Sequence, residues 1–174
     1  MAKHAGVGIS ALYTRHGSKE ELLRQLCTDG LRIVVEETEV GIERITAGHE
    51  DPWAVFADFM RRLTDADTSS MTRALAGQFA PTPEMFALAS RSAELMDELL
   101  APVRGVLRPD LALPDISLSF ELVAAIKFDD PERTSELRHR YLALILDGMR
   151  ATGRGDLPGP PPGWKELSER WGRK

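Results

Sequence analysis

The sequence predicts an all-α protein, and three observations predict it. Helix-start signals recur along the chain. Ser18-Lys19-Glu20-Glu21 forms a capping box, and Asp51-Pro52, Thr82-Pro83 and Asp130-Pro131 each place a capping side chain before a proline at the first helical position. Between these signals apolar residues recur with a period near 3.6. No segment alternates apolar and polar residues between hairpin turns, as a half-buried strand would.

Taken in order, the elements expected are helices over 1–5, 8–15, 18–46, 52–66, 69–77, 83–106, 115–128 and 131–151. In the first long helix Leu23, Leu26, Cys27, Gly30 and Val34 share a face. In the next, Val55, Phe56, Phe59, Met60 and Leu63 do so. Asp115, following Pro114, reads as the cap of the 115–128 helix. Leu157-Pro-Gly-Pro-Pro-Pro-Gly163 cannot be helical and should run extended, after which Trp164, Leu167 and Trp171 form one face of a short helix docked on the body.

Two late segments are apolar nearly all round. Ile116, Leu118, Phe120, Leu122, Val123, Ala124, Ile126 and Phe128 circle one helix, while Leu137, Tyr141, Leu142, Leu144, Ile145, Leu146 and Met149 cover most of the other. Such helices must be buried on every side. A second copy of the same pair would supply the missing cover in a two-fold four-helix interface, with Phe120, Val123, Leu142, Ile145 and Met149 at the contact. Central burial within one subunit accounts for the same pattern.

At 174 residues, 43% hydrophobic and 28% charged, the chain is long enough to bury a sizeable core. It has no run of eighteen apolar residues to cross a membrane and no apolar leader at its start, so a cytoplasmic location is expected. Cys27 is the only cysteine, which excludes a disulfide framework or a thiolate zinc site. The net charge of −5 argues against a uniformly basic nucleic-acid binder. It is unevenly spread, however, with +2 over residues 1–28 and −7 over the remainder. A small positive end could meet phosphate while the acidic body stays off it.

Catalysis finds no support. The four histidines fall in separate elements without metal-ligand spacing, and neither a glycine-rich phosphate loop nor a nucleophile elbow occurs. No enzyme activity, metal or cofactor is expected. Glu36, Glu37, Glu39 and Glu43 wrap around their helix and read as a solvated face. Trp53, Phe56, Phe59, Met60, Met71, Phe79, Phe86 and Met96 populate the middle helices. They read as ordinary core or as the soft lining of an apolar ligand pocket.

The stretch from His4 to Leu23 carries the sharpest signal. Residues 2–5 are helical in character, Gly6 permits a tight turn, and Ile9 to Arg15 resumes a helix. Val7 and Leu12 can pack the two pieces together, which leaves Ser10, Tyr13, Thr14 and Arg15 facing outward and Lys19 opening the next helix. A helix, a glycine turn and a second helix with exposed hydrogen-bonding side chains is the form that enters the DNA major groove. A surface helical hairpin would share this spacing.

The runs Ala5-Gly6-Val7-Gly8-Ile9-Ser10-Ala11-Leu12-Tyr13 and Gly17-Ser18-Lys19-Glu20-Glu21-Leu22-Leu23 closely resemble the helix-turn-helix of the tetracycline-repressor (TetR) family. That family's pattern is roughly A-G-V-S-x-G-x-L-Y-x-H-F-x-S-K-E-x-L-L. Arg140 to Ala151, RYLALILDGMRA, is similar to the last dimer helix of many actinobacterial members. The resemblance implies a homodimeric transcriptional repressor whose partners are operator DNA, a small apolar or amphipathic effector and a second copy of itself. It implies phosphate contacts for Tyr13 and Lys19, and base-facing or groove-facing positions for Gly8, Ile9, Ser10, Thr14 and Arg15.

It also implies a partial helix-turn-helix domain over 1–28 and an effector-binding and dimerisation domain over 29–152, while composition sets apart a Pro-rich tail with a short docking helix over 153–174. His16 departs from the pattern, standing where the family has a core aromatic. The family's first DNA-binding helix and the beginning of the second would precede Met1. That departure keeps open an alternative, a dimeric ligand-binding or interaction protein without DNA activity.

Overall fold

A computed structural model describes residues 18–69, 79–150, 155–166 and 169 of the chain. The described residues form five α-helices, one short 3-10 turn, short helical pieces at 68–69 and 164–166, and no strand beyond an isolated bridge between Leu107 and Arg150. Four of the five helices start where a side-chain cap dictates. Helix α1 (Lys19–Thr46) begins after Ser18, whose hydroxyl accepts the Glu21 amide at 3.1 Å. Helix α2 (Pro52–Ala66) follows Asp51, which accepts from Ala54 at 3.1 Å. Helix α3 (Pro83–Leu100) follows Thr82, which accepts from Met85 at 3.2 Å. Helix α4 covers Leu113–Ala124, and α5 (Pro131–Met149) follows Asp130, which accepts from Glu132 and Arg133 at 2.9 and 3.3 Å.

Three boundaries differ from expectation. The 83–106 helix stops at Leu100 and tightens into the Ala101–Val103 turn, because Pro102 has no N–H to continue the ladder. The 115–128 helix starts two residues early. Asp115 is not its cap but its third residue, whose carboxylate reaches back to the Ala112 amide at 2.8 Å. The same helix ends at Ala124, where the Arg138 guanidinium takes the carbonyls of Ala124 and Ile126, both at 3.1 Å. The expected helices over 1–5 and 8–15, and nearly all of 69–77, lie outside the described residues, as do Leu167 and Trp171.

Helix α2 is the hub, packed against α1, α4 and α5. Its Phe56, Phe59 and Met60 meet Leu99 of α3, Ile116, Phe120 and Val123 of α4, and Leu142, Leu146 and Met149 of α5 in one core. A smaller cluster of Leu23, Cys27, Phe79 and Met85 ties the start of α1 to the start of α3. Helices α1 and α3 run close because position 41 is glycine. A Cβ built there would stand 2.9 Å from the Cδ1 of Leu99.

Candidate functional site

Of the seven residues expected at DNA, Lys19 alone is described; Gly8, Ile9, Ser10, Tyr13, Thr14 and Arg15 lie outside the described residues. Lys19 is the exposed first residue of α1, beside the Ser18 cap. The orphan amides of that helix end carry partial positive charge, so an ammonium placed there adds to a field that suits an anion. One turn on, Arg24 bridges back to Glu20 and, at 3.6 Å, to Glu21, which keeps the acidic pair engaged along the helix.

The residues expected to line a pocket do not converge on an open cavity. Phe56, Phe59, Met60 and Met96 interlock in the core, with ring centroids of Phe56 and Phe59 at 6.4 Å and those of Phe59 and Phe120 edge-to-face at 6.4 Å. Trp53 sits at the margin, 5.7 Å from Phe56, with the Arg150 guanidinium 5.2 Å over its ring. Phe79 belongs to the smaller cluster, and Met71 lies outside the described residues. Phe86 faces solvent at 62% exposure, because α3 turns the neighbouring Met85 inward. Beside Phe120 the enclosed space amounts to about 10 Å³, room for no more than a water.

The late helices sort their apolar residues into two faces. Phe120, Val123, Leu142 and Met149 were expected at a dimer contact, yet they are buried in the subunit's own core. Their period points them at α2. Ile145 alone of the expected five lies at the open edge. The residues left exposed are Leu122 (67%), Leu144 (59%), Phe128 (55%) and Tyr141 (49%). Along α5, Leu137, Tyr141, the adjacent Leu144 and Ile145, and Gly148 recur three or four residues apart, a continuous stripe. An open groove of about 660 Å³ runs beside it, lined by Leu122, Ile126, Phe128, Leu137, Tyr141 and Ile145.

Polar side chains fix the frame around this face. Asp67 ends α2 in the left-handed conformation, φ 51°, which aspartate tolerates, and its carboxylate meets Arg138 at 2.9 Å. Since Arg138 also holds the end of α4, one side chain joins α2, α4 and α5. His139 adds a second link to α2 through Asp65 at 2.7 Å. At the other end of α5, Arg108 donates to both carboxylate oxygens of Asp110, at 3.0 and 2.9 Å, and to the Gly155 carbonyl at 2.8 Å. Asp110 in turn accepts the Leu157 amide at 2.6 Å. The guanidinium first, and that amide second, hold the Asp110 carboxyl down at about 2.

Sequence reasoning missed both arginine junctions, since each joins residues far apart in the chain. Cys27 is buried, and burial pushes its thiol up, as suits a small core residue. No described helix is long and apolar enough to cross a membrane.

No protein-family model matches the chain, and no curated protein does. Solved structures do match. A TetR transcriptional regulator from Streptomyces coelicolor superposes with a TM-score of 0.55 at 21% identity, covering 87% of this chain and 85% of that one. The TetR-family transcriptional regulator PfmR from Thermus thermophilus gives 0.52 at 23% identity, covering 84% and 85%. The chain has the all-helical fold of TetR-family transcriptional regulators.

Proposed function

We propose that this chain is a TetR-like DNA-binding transcriptional regulator, a two-fold dimer that represses until a small apolar or amphipathic ligand releases it. One observation carries the reading. The motif-bearing residues 5–17 lead straight into the Ser18 cap and α1, within a chain whose body has that fold. A rigid 28-residue helix rooted in the core and opening at the reading segment is a lever of about 42 Å. Tilting it changes the spacing of two reading heads, which must sit about 34 Å apart to occupy successive major grooves.

The stripe of Tyr141, Leu144 and Ile145 on α5, with Leu122 on α4 and Phe128 in the connection between them, supports the dimer: large apolar side chains lying together fit a self-complementary patch. For the ligand, support comes from the resemblance and from the soft lining of α2 and α3. Trp53, Phe56, Phe59, Met60 and Met96 are closed on one another, so a ligand among them must favour a conformer in which they part.

Selection of duplexes from a random library, followed by anisotropy titration at several salt concentrations, tests the DNA reading. Lys19→Ala and Tyr13→Phe should weaken selected and random duplexes alike, and Lys19→Ala should lower the salt slope by about one. Thr14 and Arg15 substitutions should alter the preferred sequence. Absence of any salt-dependent binding by the dimer would favour the ligand-binding protein without DNA activity.

A further inference from the structure

The space beside Phe120 and the groove on α4 and α5 differ in scale. The first holds about 10 Å³ and the second about 660 Å³, within the roughly 300–1,000 Å³ that small-molecule sites occupy. The groove is held in shape by contacts of its own. One wall is the non-helical connection over 125–128, and it is pinned twice. Arg138 donates to the carbonyls of Ala124 and Ile126; Thr134 accepts the Phe128 amide at 2.9 Å and donates its hydroxyl to the Phe128 carbonyl at 3.2 Å. The opposite wall is the Leu137, Tyr141 and Ile145 side of α5. A site already in shape loses less freedom when it is filled.

The charge of the groove is one-sided. Of the nine residues that line it, Lys127 is the only charged one, and among the described residues no carboxylate pairs with its ammonium. Asp129 and Asp130 come next in the chain but do not line the groove, and Asp130 is occupied by the first amides of α5. The carbonyls at the end of α4, whose partial negative charge would repel an anion, are covered by the Arg138 guanidinium. An occupant that fills the groove also takes water from Lys127. A neutral occupant leaves the ammonium uncompensated, a cation opposes it, and an anion pairs with it.

We propose that this groove binds an amphipathic organic anion, with the apolar body against Phe128, Tyr141 and Ile145 and the negative group at Lys127. The proposal deepens the ligand part of the reading above and rests on that reading for any effect on DNA. It gives the ligand an open site in place of a core that must part. Tyr141 and Ile145 also belong to the seam of the dimer reading, so a filled groove and a closed seam exclude one another.

Anilinonaphthalene sulfonate, an amphipathic anion that fluoresces when its rings leave water, is the probe for the full chain. It should bind saturably, and decanesulfonate should displace it at about tenfold lower concentration than decyltrimethylammonium does. Lys127→Glu should weaken dye binding about tenfold, and Lys127→Arg should keep it within about twofold. Leu122→Lys adds a cation at a side chain that is 67% exposed, where the fold tolerates it, and should strengthen binding. Trp164, which the sequence expected to dock on the body, is 50% exposed and does not line the groove, so Trp164→Glu should leave binding unchanged. Equal displacement by the two detergents would overturn the proposal, and so would a Lys127→Glu chain that binds the dye as the wild type does. The reading above fails separately. Dye binding that follows Lys127 but leaves the affinity for a selected duplex unchanged upholds the groove site and removes ligand release from that reading. Such binding with no loss of dimer upholds the site and removes the seam.

Discussion

Leu142 and Leu144 are two residues apart on α5 and chemically identical, yet the structure gives them opposite roles. Leu142 is 1% exposed and packed in the core; Leu144 is 59% exposed on the stripe. Truncating Leu142 to alanine removes buried methyl groups and leaves a cavity, which costs about 2–5 kcal/mol of subunit stability. Leu144→Ala removes atoms that are mostly in water already, so the subunit should lose less than about 1 kcal/mol. At a two-fold interface the accounting reverses. Fully burying a leucine side chain contributes roughly 2–3 kcal/mol, so covering the exposed half of Leu144 contributes about 1–1.5 per copy and twice that per dimer. Leu144→Ala should then weaken dimerisation by about 2–3 kcal/mol, on the order of 30- to 150-fold.

Sedimentation equilibrium reads the dimer term. Denaturant unfolding, performed well below the dimer dissociation constant, reads the subunit term. A charge sharpens the contrast: Leu144→Glu should give folded monomers, whereas Leu142→Glu should fail to fold because a carboxylate is forced into the core. If both alanine variants destabilise the subunit equally, the division of α5 into a core face and a seam is wrong. If Leu144→Ala leaves the dissociation constant of a dimer unchanged, the stripe is not its seam.

Two further outcomes follow from particular contacts. Gly41→Ala should destabilise the fold by roughly 1 kcal/mol: better helix propensity offers about 1 kcal/mol, but the new methyl meets the fully buried Leu99 at 2.9 Å, and overpacking costs about 1–3 kcal/mol. Equilibrium unfolding checks it, and a stabilised variant would show that α1 and α3 can part freely. The Asp110 hold on the tail should open in acid. The Asp110 carboxyl sits at about 2 against an ordinary 3.8, so its contribution is present above the higher value and is lost as pH falls toward the lower. Protection of the Leu157 amide against hydrogen exchange should fall across that window; Asp110→Ala should lack the protection, and Asp110→Asn should lack its pH dependence.

The parts of this molecule legible in the sequence are those set by short-range rules. Ser18, Asp51, Thr82 and Asp130 fixed four helix starts because a cap and the amides it accepts from lie within three residues. The 3.6 period likewise identified which helices carry apolar residues nearly all round. It could not decide which apolar face meets the subunit's own core, because Leu142 and Leu144 look alike until α2 is in place. The same limit explains the helix ends. Ala124 ends α4 because Arg138, fourteen residues later, supplies the donors for its last carbonyls, and nothing near Ala124 announces that. Asp67 shows the point most plainly. In sequence it is an ordinary acidic residue in a polar turn; in the fold its left-handed backbone ends α2, and its carboxylate binds the arginine that also closes α4. Composition registers such a residue only as one more charge. Its role is set by the meeting of three helices.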